Sequence, residues 1–161
     1  MITVDVIFMS KIVVPEFEIV PSELDQVSGL DYRIVFENGR PEGFAQLVLG
    51  TVGDYCESNS LVAQKLPELG LDPRDVLVNL HRFHPNGRDL DPDDPEHRKL
   101  MKKGVGTAVL DKLIEDALER DARVMHAFTT HSPKRIPMRN FLEKNGFSPY
   151  ESGMTMYYKM L

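Results

Sequence analysis

The residues Lys102-Lys103-Gly104-Val105-Gly106-Thr107 combine the types and spacing that hold a phosphate. Two glycines one residue apart let a backbone approach a ligand without side-chain obstruction. They stand where an amphipathic helix begins. The first-turn N–H groups of a helix have no intrahelical partner, and the helix dipole favours negative charge there. Such a turn is an anion site, and two lysines directly before it add positive charge. A phosphorylated cofactor or substrate is the expected ligand.

The motif alone leaves the ligand's identity open. The dinucleotide fingerprint wants a third glycine where Val109 stands, and a tight strand-to-helix turn. The Walker pattern places lysine after its last glycine, whereas Lys102 and Lys103 precede the first. The bland reading is a glycine-containing loop that simply enters a helix.

The elements that must position this loop follow from patterning. Ile2–Met9 alternates as a strand, and Ser22–Asp25 has the character of a helix start. Tyr32–Glu37 and Phe44–Leu49 read as strands joined by the turn-rich Asn38–Gly43, a hairpin. Thr51–Asp75 has no clear period, apart from a helix over Ser60–Leu69 interrupted at Pro67. Val76–His84 is a strand closed by Pro85. An acidic loop follows over Asn86–Leu100. Thr107–Arg120 is the clearest helix, with Val109, Leu110, Leu113, Ile114 and Ala117 on its buried face. Arg123–Thr130 is apolar on both faces, as a central strand is. Pro137–Asn145 is a helix with proline in its first turn and Gly146 placed for a left-handed C-cap. Met154–Met160 is a last strand. The order predicts an α/β (α+β) fold, a mixed sheet with helices packed on it.

Composition sets bounds. The 161 residues suit a single domain, 1–161, with a real core. A stretch of eighteen apolar residues is absent from the sequence, so a transmembrane helix is not expected. The N-terminus carries Asp5 and does not fit a secretory signal. One cysteine, Cys56, excludes an internal disulfide framework and points to a reducing, cytoplasmic setting. The net charge of −6 argues against nucleic acid as partner and is compatible with a cationic second substrate.

A strand ending in Pro85, then basic residues, then G-x-G at a helix start resembles the GNAT superfamily of N-acetyltransferases. Its Q/R-x-x-G-x-G/A pattern binds the pyrophosphate of acetyl-CoA. Asn140-Phe141-Leu142-Glu143-Lys144-Asn145-Gly146-Phe147 is similar to the family's L-Y-E-K-x-G-F segment, and Met154–Met160 to its closing strand. The resemblance spans residues 76–161. Residues 32–50 match the family's second and third strands. Met101 stands in place of the family's Gln or Arg, and the loop before Gly104 is longer than usual.

What the resemblance implies is a mostly antiparallel sheet with helices on both faces. The fourth and fifth strands splay, and the pantetheine arm lies between them like an added strand. Backbone groups of Leu80, His81, Arg82 and Phe83 would bind that arm. Gly104, Val105, Gly106, Thr107 and Ala108 would meet the pyrophosphate, with Lys102 and Lys103 adding charge and Asn140 also at the cofactor. The reaction implied is direct transfer from acetyl-CoA to a primary amine, without an acyl-enzyme.

That chemistry needs a base, since an alkylamine has a reference pKa of about 10.4, and it gains from an acid for the thiolate. The family's base positions are Leu77 and Asn79, and neither takes a proton at neutral pH. Asn79 can orient a water. His81 follows on the same face by alternation, and an imidazole changes charge near neutrality. His131, near a strand end, is a second candidate. His84 is expected on the opposite face from His81, and His126 is expected to be satisfied inside the fold. Leu142 occupies the position of the family's acid, for which Tyr150, Tyr157 and Tyr158 are substitutes. Cys56 reads as a small semi-buried residue. Asp54 and Glu57 line either an amine pocket or a solvated surface, and the acidic Asn86–Leu100 loop likewise. No metal spacing is convincing. A homodimer is plausible from exposed sheet edges. Two other readings stand beside this one: an acyl-CoA-binding regulator without turnover, and a nucleotide-binding domain of another class.

Overall fold

The computed structural model describes residues 17–22, 29–37, 41–87, 93–96, 98, 104–129, 136–151 and 155–161. A seven-stranded sheet runs β1 (Phe17–Ser22), β2 (Gly29–Phe36), β3 (Gly43–Thr51), β4 (Val76–His84), β5 (Ala122–Phe128), β6 (Ser148–Pro149) and β7 (Met156–Met160). In space the order is β1-β2-β3-β4-β5-β7-β6. Every neighbouring pair is antiparallel except β4 and β5, which are parallel. A parallel pair requires a crossover, and the helix α3 (Val105–Glu119) supplies it.

The other described helices are α1 (Val52–Ser58), α2 (Ser60–Glu68) and α4 (Ile136–Lys144). Burial separates them by face. Val105, Val109, Leu110, Leu113 and Ala117 of α3 and Leu142 of α4 pack with Ile34, Leu47, Val78, Leu80, Met125, Ala127 and Tyr157. Val52 of α1 and Val62 and Leu66 of α2 pack with Leu77, Val124, Tyr150 and Met156. Adjacent strand residues enter different clusters, so the helix pairs cover opposite sides of one sheet. The sheet is mixed, mostly antiparallel and helix-covered on both faces, as expected.

The expected hairpin is present as β2 and β3, in the register Gly29↔Val48 to Ile34↔Gly43. Val76–His84 is a strand over the expected residues. Pro67 lies inside α2, near its end. The close of α4 is a Schellman motif: Phe147 N donates to Leu142 O (3.0 Å), Gly146 N to Glu143 O (3.1 Å), and Gly146 has φ 86°. α1 had no counterpart in the patterning. It starts directly from β3 by a capping box, in which Asp54 N donates to Thr51 Oγ1 (3.2 Å) and Thr51 N to Asp54 Oδ2 (3.3 Å). β1 and the two-residue β6 are likewise new. The expected strand Ile2–Met9, the hairpin tip Asn38–Arg40 and most of Ser22–Asp25 lie outside the described residues; Ser22 itself ends β1.

Candidate functional site at the end of the β4–β5 ladder

The β4–β5 ladder runs from Val76↔Ala122 to Leu80↔Ala127 and stops there. β4 nevertheless continues to His84 along β3, and β5 continues through Phe128, paired to Met156 of β7. Pairing between the two parallel strands therefore ends in the middle of the sheet, near the carboxyl end of β5, where ligands of α/β sheets gather. The backbone of His81–Phe83 keeps β3 on one side while its ladder to β5 has ended.

A β-bulge occurs at the same level. Leu47 pairs with Leu80 but Gln46 pairs with Arg82, so His81 is an extra residue on β4. Beyond it the alternation shifts by one. Phe83 turns toward the α3 side, packed against that core, and Arg82 and His84 share the side of Asn79. Strict alternation, which set His81 and His84 on opposite faces, fails here because of this inserted residue. His84 stacks on Phe44 (centroids 5.2 Å apart, 16° between planes). His81 and Arg82 are exposed and Leu80 is buried.

On one face of the gap stands the start of α3. Gly104 is its N-cap in a left-handed conformation (φ 73°), which favours glycine, and among the described residues no side-chain cap bond meets the first turn. The N–H groups of Val105, Gly106 and Thr107 fall within that turn, before the first intrahelical bond, Ala108 N to Gly104 O (3.1 Å). Thr107 is exposed and Ala108 half-buried. Gly106 has a further role. A Cβ there would lie 3.1 Å from Phe141 Cε2, so glycine lets α4 approach α3. Phe141 in turn stacks on Phe83 (5.4 Å, 23°), which ties the beginning of α3 to the end of β4. Asn140 is exposed on α4. Lys102, Lys103 and His131 lie outside the described residues.

On the opposite face, under α1, polar groups are buried. Asn79 and His126 are partners across the last part of the ladder (Asn79↔His126), and His126 is opposite Tyr158 on β7. The Tyr150 hydroxyl is hydrogen-bonded to His126 Nε2. The His126 ring has the rings of Tyr55 (5.3 Å), Tyr150 (5.2 Å) and Phe128 (6.4 Å) edge-on around it, and Tyr150 lies 4.9 Å from Tyr158. Burial pushes His126 down to about 4, so it is neutral at physiological pH. Burial, with Tyr158 and Cys56 nearby, pushes the Tyr150 phenol upward, so it stays protonated. Burial also raises Tyr55, an effect the Asn79 amide opposes, and it raises the half-buried Cys56 thiol. Asn79 Oδ1, His126 Nδ1 and Thr129 Oγ1 are buried with no hydrogen-bond partner among the described residues. Leaving such atoms unpaired is costly, which is why they concentrate at functional sites.

The structure thus brings Asn79 and Tyr150 together, and joins them through His126. His126 was expected to be satisfied, yet one ring nitrogen is not. Its partner comes from 24 residues away, and no local pattern announces it. Leu142 is fully buried in the core, so α4 presents no acid at that position. Asp54 is committed to the α1 cap and Glu57 is exposed. In the acidic loop, Asp94 caps a helical turn by accepting from Glu96 N (2.9 Å). Groups of three or more metal-ligating side chains are absent among the described residues. No helix is long and apolar enough to cross a membrane among them.

Comparison with known proteins adds little to this geometry. No family model matches the chain, and no curated protein matches it. Among solved structures, it is similar to a protein from Desulfovibrio desulfuricans provisionally assigned to the GNAT family of acetyltransferases. That likeness has 17% identity and a TM-score of 0.49, and covers 83% of this chain and 69% of the other.

Proposed function

We propose that this chain is an N-acyltransferase of the GNAT type, moving an acetyl or related acyl group from acyl-coenzyme A directly to a primary amine. The observation that carries this reading is the place where β4 and β5 part, with the uncapped start of α3 on one face and a buried polar cluster on the other. The diphosphate of the donor suits the N–H groups of Val105, Gly106 and Thr107 and the Thr107 hydroxyl, with Lys102 and Lys103 adding positive charge and Asn140 nearby on α4; Ala108, expected to join them, spends its N–H on Gly104 O. The pantetheine arm suits the backbone of Leu80–Phe83, as an inserted strand would. The thioester then reaches the level of Asn79 and Tyr150, and a β4 N–H polarises its carbonyl. His81, exposed on β4, is an alternative for proton handling, as is His131, which lies outside the described residues.

Calorimetric titration of the intact chain with acetyl-CoA, with ATP and NAD as competitors, tests the donor site. Saturable heat displaced by coenzyme A and not by the nucleotides is expected. Absence of heat, or tighter binding of ATP or NAD, refutes the reading. Thiol release over a panel of primary amines then separates turnover from binding alone. The burial of Leu142 favours the second reading, an acyl-CoA-binding regulator, which binding without turnover would support.

A further inference from the structure

We propose that His126 and Tyr150 form a relay that carries the amine's proton to the departing sulfur, with Asn79 holding the amine. The inference rests on the acyltransferase reading and assigns the proton steps within it. Its basis is geometric. Asn79 Oδ1 and His126 Nδ1 are buried, unpaired and carried by residues side by side on β4 and β5, one residue before the two strands separate. His126 Nε2 is already bonded to the Tyr150 hydroxyl. A neutral amine has two N–H donors and one lone pair, so it can satisfy both orphaned acceptors and keep the lone pair for attack.

The starting tautomer has its proton on Nε2, donated to the Tyr150 oxygen, with the Tyr150 O–H directed at the thioester sulfur. The amine lone pair forms the new C–N bond and the C–S bond breaks, its electron pair leaving on sulfur. The amine nitrogen gives one proton to His126 Nδ1. The Nε2 proton passes to the Tyr150 oxygen, and the Tyr150 proton passes to the thiolate. The products are an amide and free coenzyme A thiol. His126 ends as the Nδ1–H tautomer and returns by exchange with water. The cluster carries the same net charge before and after the transfer, and the charges that develop on nitrogen and sulfur are cancelled by the moving protons. That suits a pocket walled by Tyr55, Phe128 and Tyr158, in which burial holds the imidazole and the phenols of Tyr55 and Tyr150 in their neutral forms. Among the described residues, the Tyr158 phenol and the Cys56 thiol also act on Tyr150, burial raises the thiol, and Asp54 acts on Tyr55 from the exposed side of α1. Phe128, whose ring stands edge-on to His126, is 46% exposed, and in this account the amine enters past it. The relay accounts for a site that lacks both an acidic side chain on β4 and a tyrosine at residue 142. In this account His81 gives its backbone to the pantetheine arm, and the proton leaves by another route.

The test uses the intact chain, acetyl-CoA and the amine panel, in single turnover. His126→Gln keeps a hydrogen-bonding atom near the Nε2 position but cannot relay, and Tyr150→Phe removes the hydroxyl alone. Each should slow acyl transfer by about 10²–10⁴-fold, the span of general acid–base catalysis, while acetyl-CoA affinity stays within about threefold. His126→Gln should also show no further loss when Tyr150→Phe is added, since one chain of transfers is already broken. In the unmodified protein the single-turnover rate should fall in deuterium oxide, with a curved dependence on deuterium fraction that reports several protons in flight. A linear dependence overturns the relay, as does either variant that binds acetyl-CoA and transfers at the original rate. Acetyl-CoA binding without turnover on any amine overturns it too, yet leaves the donor site standing. Failure to bind acetyl-CoA refutes the acyltransferase reading itself.

Discussion

The two faces of the sheet meet at the same gap and are built from opposite materials. The α3–α4 face is apolar down to the helix start: Val105, Val109, Leu110 and Leu113 are fully buried, and the invitation to a ligand comes mainly from the backbone of the first turn of α3. The α1–α2 face is where polar side chains have been taken out of water, namely Asn79, His126 and Tyr150, ringed by aromatics. The first arrangement is rigid and indifferent to side-chain chemistry, which is what binding a constant diphosphate requires. The second keeps unpaired groups at a cost in stability, which is what handling protons requires. Grip and chemistry are separated by the thickness of one sheet.

The comparison breaks most directly on stability. Leu113→Ala removes a fully buried side chain from the α3 face and should lower unfolding free energy by about 2–5 kcal/mol in urea titration, by a similar amount at pH 7 and pH 5. A marked pH dependence of that loss would mean the faces are not independent.

The α1 face should instead be sensitive to pH. His126 has a folded-state value of about 4, below its ordinary 6.5. Its contribution is therefore fully present above pH 6.5 and is lost as pH falls toward 4, because the unfolded chain takes up the proton first. The loss amounts to about 3 kcal/mol by linkage. His126→Phe should flatten this part of the stability–pH curve. A curve of unchanged slope would show that His126 is not held neutral by burial.

The smallest effect sharpens the contrast at its edge. Thr51→Ala deletes the cap of α1 and should cost about 1 kcal/mol, a drop in Tm of roughly 2–4 °C. Since α1 carries Tyr55 over His126, the same change should raise amide exchange around His126 while leaving α3 protected. Equal loosening of both faces would deny the separation.

Much of the α3 face was legible in the sequence, because its signals are local. The apolar period of Val109–Ala117 fixes the helix, Gly146 fixes the end of α4, and Val76-Leu77-Val78, in a run closed by Pro85, marks the β4 strand. The other face was not legible, for reasons that are equally physical. α1 is only seven residues long and contains Gly53, too short for a period to show, so its one signal is the Thr51–Asp54 cap. The bulge at His81 is a property of the β3–β4 register, which His81-Arg82-Phe83-His84 does not encode alone. The His126–Tyr150 bond joins residues on separate elements, and no spacing within either segment predicts it. Gly106 was read as an opening for a ligand, whereas its contact with Phe141 shows that the absent side chain also serves helix packing.

Crystals soaked with coenzyme A test the central claim most directly. The account predicts diphosphate density against the N–H groups of Val105–Thr107, and a pantetheine arm running along His81–Phe83 with its sulfur beside Tyr150. Density elsewhere on the surface, or an arm lying outside the gap between β4 and β5, would contradict it.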